Sequence, residues 1–253
     1  MQDQDYFALP RLSPSGAKVL LKSPARYQHE RMHPAKPSAA MEFGTMLHAL
    51  VLEPDAFAAR YALAPDVDRR TKEGKAAAEQ WSLDNPGRIA VPSSDWERVH
   101  TMSLAVDRSG ARSLMAGGVM ERAIMWERDG AALKSKIDCL GPDHIVDLKT
   151  TSADDEDSIQ RAAWSYGYHI SAAAYQEAAE TVTGRKLPKV FVFVTSAAPH
   201  DVVILEASQE FIDRGRELWD RAVRTYAACV EFNDWPGMAA SFTSGKLTPP
   251  RWA

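Results

Sequence analysis

Asp138, Asp147 and Lys149 are the residues whose types and spacing could do chemistry. Asp138 precedes Gly141-Pro142-Asp143, and Ile145-Val146-Asp147-Leu148-Lys149 follows at once. That order is an acid, a tight turn, then an acid and a lysine two residues apart on a strand. Successive strand side chains alternate, so Asp147 and Lys149 share a face. Carboxylates converging beside an ammonium are what metal-dependent phosphodiester hydrolysis requires. Hard oxygen ligands suit Mg2+ or Mn2+. The metal polarises a phosphate and lowers the pKa of an attacking water. The lysine orients that water or stabilises charge developing on the phosphate.

The turns decide whether these groups can meet. Asp129-Gly130 is a strong two-residue hairpin signal. It predicts strands over 119–128 and 131–140, with a third over 144–150, and it sets Glu121 opposite Asp138. If Pro142-Asp143 is the next turn, Asp138 lies opposite Asp147. Proline cannot adopt positive φ, so a bulge there would shift the register by one. Glu121, Asp138 and Asp147 then form one row on one face, with neighbouring Cβ atoms about 4.5–5.5 Å apart. Such a row repels itself without a counter-charge. Alternation alone also produces polar rows on half-exposed meanders, so a solvated surface and a Mg2+ site both fit. His48, in Gly44-Thr45-Met46-Leu47-His48, is the next candidate ligand, although a lone helical histidine is commonly structural.

The remaining elements frame these positions. Ser13 and Pro14 read as N-cap and first helical residue of a helix running to about Arg31. Residues 41–52 form a helix with Met46, Leu47, Leu50 and Val51 as its apolar stripe, closed by Glu53-Pro54. Residues 64–75, with Arg69, Arg70 and Lys72, read as an exposed, mobile loop. Helices are predicted over 75–83 and 93–116, and from the acids at 154–157 to Thr181 with a break at Gly167. Strands are predicted over 189–195 and 202–206, and a final helix over 208–232. The tail from Leu247 is short and Pro-rich. This is a single α/β domain with a central mixed sheet: a three-strand antiparallel meander plus two further strands, flanked by helices. Its helical part is about 1–116, its core about 117–232 and its tail 233–253.

At 253 residues the chain can bury a substantial core. Net charge is −4 and the pI is about 6.0, which argues against a broad basic face but allows a local basic groove. No stretch approaches the roughly 18 apolar residues of a membrane span. The start, Met1-Gln2-Asp3-Gln4-Asp5, lacks a basic and an apolar signal region. Cys139 and Cys229 have no metal-binding spacing. A cytoplasmic, reduced protein with no membrane association is expected.

Taken in order, Gly44-x-x-x-His48, Glu121, Asp138, Asp147-x-Lys149 and Tyr175 resemble the PD-(D/E)XK nuclease superfamily. More narrowly the chain is similar to the RecB-like branch, and most of all to the RecE-type (exonuclease VIII) exonucleases of phages and prophages. Ser13-Pro14-Ser15, Ser23-Pro24-Ala25-Arg26-Tyr27, Phe43-Gly44-Thr45, Leu50-Val51-Leu52-Glu53-Pro54, Lys149-Thr150-Thr151 and Tyr166-Gly167-Tyr168-His169 carry the likeness over most of the chain. It implies a restriction-endonuclease-like core and a bacterial or phage-encoded enzyme. It implies that His48, Asp138, Asp147 and the Leu148 carbonyl hold Mg2+ or Mn2+. Glu121 would support a second metal or its waters, and Lys149 would be the catalytic lysine. It also implies 5′ to 3′ degradation of one strand at duplex DNA ends, a single-strand annealing partner and a ring-like homo-oligomer. The chain departs from the pattern at Ser171, where a glutamine is usual, and at Ile137, where proline is commoner. Two cysteines cannot hold a four-cysteine iron–sulfur cluster. The alternatives are an endonuclease of the same fold and a non-catalytic DNA-binding protein. For DNA contacts, Lys18, Lys22 and Arg26 recur as one stripe of the first helix, and Arg69, Arg70 and Lys72 form a second basic patch. Either group would meet phosphates rather than base edges. Tyr168 and Tyr175 could stack on bases, although tyrosines on amphipathic helices more commonly pack in the core.

Overall fold

Strand-forming sequence is concentrated after residue 118, and there the backbone folds into one sheet on which the helices pack. The computed structural model describes residues 3–241; the Pro-rich tail expected from Leu247 lies outside them. Asp3–Ala8 (α1), Pro14–Leu20 (α2), Pro24–Met32 (α3), Ala39–Leu52 (α4) and Pro54–Arg60 (α5) come first. Tyr61–Leu63 (β1), Lys72–Asp84 (α6), Ile89–Val91 (β2), Ser93–Arg108 (α7) and Ala111–Met115 (α8) follow. The main sheet starts with Val119–Arg128 (β3), Ala131–Leu140 (β4) and Ile145–Thr151 (β5). Glu156–Ser165 (α9) and Tyr168–Thr183 (α10) lead to Lys189–Thr195 (β6) and Val202–Glu206 (β7), then Gln209–Phe232 (α11). Strand order is β3-β4-β5-β6-β7, with β5 and β6 parallel and the other neighbours antiparallel. The sheet is the mixed, helix-flanked one expected.

Both turns set the predicted register. Arg128 pairs with Ala131 across Asp129-Gly130, and Leu140 pairs with Ile145 across the second turn. There the Gly141 N–H donates to the His144 carbonyl. The pleat is nevertheless interrupted. Met120 pairs with Cys139 and Arg122 with Ile137, but Glu121 between them has φ 50, a left-handed conformation rare in non-glycine residues. Ile137 and Leu140 lie in one apolar cluster and Cys139 in another, so side-chain alternation breaks at Asp138. The expected straight row of acids is therefore bent.

Two breaks in the helices were not expected. The predicted helix from Ser13 to Arg31 is two, because Ser23 accepts the Arg26 N–H as a new N-cap and Pro24 cannot continue α2. Lys22 lies in the turn between them, so Lys18, Lys22 and Arg26 are not one helical stripe. Pro54 starts α5 as well as closing α4. Gly110, with φ 81, divides the predicted 93–116 helix into α7 and α8. Lys72 opens α6 behind the Thr71 cap, so the basic loop is shorter than predicted. Strands β1 and β2, parallel partners of three residues each, are too short to register as alternation.

Helices α4 and α7 cover one face of the sheet, packing Met46, Leu47, Val99 and Met102 against Val146, Leu148, Val192 and Val194. Helix α10 covers the other, with Ala178 and Ala179 against Ile137 and Ile145. The carboxylate of Glu177 on α10 accepts from Trp126 Nε1 at 2.7 Å, Arg128 Nη1 at 2.6 Å and Trp219 Nε1 at 2.8 Å, tying α10 to β3 and α11. Beyond α11, Trp235 stacks on Tyr27, so the tail segment begins folded back on α3. Among the described residues, no helix is long and apolar enough to cross a membrane.

Helices α10 and α11 meet closely at Gly215. A Cβ added there would stand 1.8 Å from the His169 carbonyl oxygen, a backbone atom that cannot rotate away. Gly215→Ala is expected to lower stability by about 1–3 kcal/mol, read as a fall in the urea midpoint. An unchanged midpoint would show that the two helices separate freely.

Candidate metal centre

The centre forms where β4 and β5 part. Their ladder pairs Leu140 with Ile145 and Cys139 with Val146; beyond that pair, the Leu148 N–H donates to Asp138 Oδ2 at 2.8 Å. A side-chain oxygen thus takes the acceptor's part in the ladder and fixes Asp138 beside β5. From α4, His48 Nδ1 approaches Asp138 Oδ2 to 3.7 Å. Ligand atoms of His48, Glu121 and Asp138 all lie within 4.8 Å of one another. Glu121 reaches this group from its left-handed position and is ion-paired with Lys136.

Asp147 stands apart from that trio. It shares the α10 face with Ile145, and its carboxylate is held by two lysines. Lys149 Nζ donates to Oδ1, and Lys189 Nζ lies 3.1 Å from Oδ2. Lys149 also sits 3.4 Å from the Leu148 carbonyl oxygen, the backbone group expected among the ligands. Lys189 joins the centre because β6 runs parallel to β5 and pairs Lys189 with Ile145, two residues from Asp147.

The charges are unevenly compensated. Burial alone would raise the Asp147 pKa, but Lys149 and Lys189 outweigh it and hold the carboxyl far below the usual range. Burial opposes the Lys149 charge, yet Asp147 and Asp138 keep that ammonium above the ordinary lysine range. Asp138 goes the other way. Burial raises it and Asp147 adds to the rise, against the lowering effect of His48. Glu121 is likewise raised, first by burial and then by Asp138, with Lys136 opposing. Lys189 is pushed down to about 8 by burial, with Asp147 opposing. One nitrogen and two or more carboxylates, with Asp138 short of positive charge, make a donor set that fits a divalent Mg2+ or Mn2+ ion.

Of the expected basic DNA contacts, Lys18 comes nearest the centre. Its Nζ lies 5.4 Å from the Tyr168 ring centroid, and Lys149 Nζ lies 5.6 Å from the same ring. Burial and then Lys149 depress its pKa to about 8. Arg26, on α3, is exposed and bonds to Glu30 at 2.6 Å; Lys22 is exposed in the preceding turn. Arg69, Arg70 and Lys72 are exposed, with the Arg70 guanidinium bonded to Asp68 at 3.0 and 3.1 Å. The Tyr175 ring is covered by Lys189, whose Nζ lies 4.2 Å from its centroid, so that face is closed to a base. Ser171, at the position where a glutamine is usual, is buried. Sequence reasoning missed Lys189 and Lys136. Lys189 reads as a charge flanking an apolar strand, and only the crossover from β5 to β6 brings it to Asp147.

If Asp138 is the anion a cation completes, Mn2+ at about 100 times its Kd should stabilise the protein by about 2.7 kcal/mol. Asp138→Asn should lose that gain while keeping the metal-free melting temperature nearly unchanged. An equal Mn2+-dependent shift in both proteins would place the ion elsewhere.

The family described as a PDDEXK-like domain of unknown function (DUF3799) matches residues 13–246. No curated protein matches the chain. Among solved structures the chain is similar to a candidate exonuclease from Eubacterium rectale, with a TM-score of 0.62 and 18% identity over 98% of this chain and 93% of that one. It also matches a phage-related exonuclease from Haemophilus somnus 129PT, with a TM-score of 0.39 and 14% identity over 88% and 96% of the two chains. An alkaline exonuclease from Laribacter hongkongensis matches with a TM-score of 0.41 and 14% identity over 91% and 95%. At 18% identity the first likeness is one of fold.

Proposed function

The chain belongs to the PDDEXK-like family, and from that membership we propose that it is a Mg2+- or Mn2+-dependent exodeoxyribonuclease of the RecE-type branch. It would hydrolyse one strand of linear duplex DNA from the 5′ end, leaving single strand for an annealing partner, and would act as a ring-like homo-oligomer in the cytoplasm. The observation that carries the reading is the convergence of His48, Glu121 and Asp138 within 4.8 Å, with Lys149 bonded to Asp147 on the neighbouring strand. The exonuclease description of the Eubacterium rectale protein of similar fold supports the choice among nuclease activities.

His48, Glu121 and Asp138 would hold the cation, with Asp147 and the Leu148 carbonyl completing the set. When bound, the cation supplies polarisation of the scissile phosphate and acidification of a water. The chain's own groups do the rest. The Lys149 side chain is 22% exposed, so its ammonium can reach a phosphate oxygen and offset charge as it develops. The Leu148 N–H fixes the direction of the Asp138 carboxylate. Lys18, which borders the Tyr168 ring as Lys149 does, supplies a second cation for the backbone. Lys22 and Arg26, with Arg69, Arg70 and Lys72, would extend phosphate contact outward.

Digestion of a duplex labelled at one 5′ end, with Mg2+ and with Mn2+, tests activity, polarity and metal together. The parent should release label from linear DNA and spare a closed circle; cutting of the circle would make it an endonuclease. Lys149→Ala and Asp147→Ala should each slow digestion by a factor of about 100 or more. Parental rates in both would end the catalytic assignment.

Reversing the charge of Lys22 and Arg26 should weaken DNA binding and reduce the slope of log K against log salt by about 0.9 for each phosphate left without its cation. An unchanged slope removes both from the DNA path.

A further inference from the structure

Lys189 has no part in the reading above, yet it is the most deeply buried charge at the centre. It opens β6, its side chain is 0% exposed, and its ammonium lies 3.1 Å from Asp147 Oδ2. The rings of Tyr175 and Phe191 lie 4.2 and 5.3 Å from Nζ, and the ammonium donates no aligned hydrogen bond. Burying such a group is costly, and an apolar side chain of the same length would fill the space without that cost. The charge therefore serves Asp147 rather than the packing.

Asp147 has a lysine on each oxygen, and the two differ in freedom. Lys149 is partly exposed and borders the Tyr168 ring, whereas Lys189 is enclosed between the sheet and α10. Contact with a phosphate requires Lys149 to part from Asp147. With one lysine only, that movement would leave a carboxylate whose side chain is 1% exposed dependent on the exchangeable cation alone for its counter-charge. With Lys189 in place, the carboxylate keeps a partner throughout.

We propose that Lys189 is the fixed counter-charge of Asp147, a positioning residue that frees Lys149 to leave that carboxylate for the scissile phosphate. The assignment rests on the nuclease reading.

Two measurements test it. In the unaltered protein, lysine acylation mapped by mass spectrometry, with EDTA and with Mn2+, should modify Lys149 and leave Lys189 protected in both. Acylation of Lys189 as fast as Lys149 would overturn the fixed role, and this arm decides the matter if the variant below fails to fold. Lys189→Met keeps the bulk and removes the charge. Its kcat should fall roughly 10–100-fold with KM for DNA unchanged, while Mn2+ binding, followed by electron paramagnetic resonance without DNA, is as tight as in the parent or tighter. A merely structural lysine would instead give weaker Mn2+ binding and a kcat restored by saturating metal, which would sink the proposal. A cleaving parent beside a fully active Lys189→Met sinks this assignment alone. A parent that cleaves no DNA with either metal sinks the nuclease reading and the assignment with it.

Discussion

Burying the carboxylates of Glu121, Asp138 and Asp147 in one corner of the sheet is the constraint that the rest of the centre answers. Anions in a low-dielectric site must be paired or must lose their charge. Two of the three are paired with lysines: Glu121 with Lys136, and Asp147 with both Lys149 and Lys189. Asp138 has a backbone N–H and an imidazole instead, and its carboxyl, like that of Glu121, is raised by burial. The shortfall of positive charge is thus concentrated at Asp138, beside His48 and Glu121. Electrostatics and ligand geometry select the same point for a cation, by independent routes.

The fold creates that corner by spoiling its own regularity. A fully paired β4–β5 ladder would have used the Leu148 N–H for a main-chain carbonyl; here Asp138 takes it. Glu121 enters the left-handed region opposite the same point. Strain and broken pairing in a sheet persist only where the surroundings over-determine them. Here the surroundings are α4, which carries His48, and α10, which closes the opposite face over Asp147 and is itself anchored through Glu177 and Gly215.

The sequence made the sheet legible where turn chemistry is local. Asp129-Gly130 and Pro142-Asp143 specify both registers, and β6 and β7 span the ranges predicted around their apolar runs. The approach of Glu121 to Asp138 followed from counting through one turn; His48 was a candidate from its helix, and the resemblance implied its role as a ligand. What stayed hidden depends on contacts distant in the chain. Lys189 meets Asp147 only after a crossover through α9 and α10. The broken pleat at Asp138 depends on a side chain competing with the backbone, which alternation patterns cannot register. The split of the first helix at Ser23-Pro24 was a local signal, and there the apolar periodicity on either side masked the cap.

The arrangement at Asp147 also bears on whether the fold is merely a scaffold. A buried carboxylate between two lysines is a poor way to stabilise a sheet, since apolar residues of similar volume serve as well or better. Lys149 lies at the rim beside the Tyr168 ring, and the Lys189 ammonium lies among the Tyr175 and Phe191 rings and the Asp147 carboxylate. Such local expense, unsupported by any gain in packing, is expected where a site rather than a core sets the residues. A DNA-binding protein without catalysis would need the outer cations but not a paired anion sealed behind them. The depth of Asp147, together with the cation-seeking Asp138 one strand away, therefore favours chemistry at this centre over binding alone.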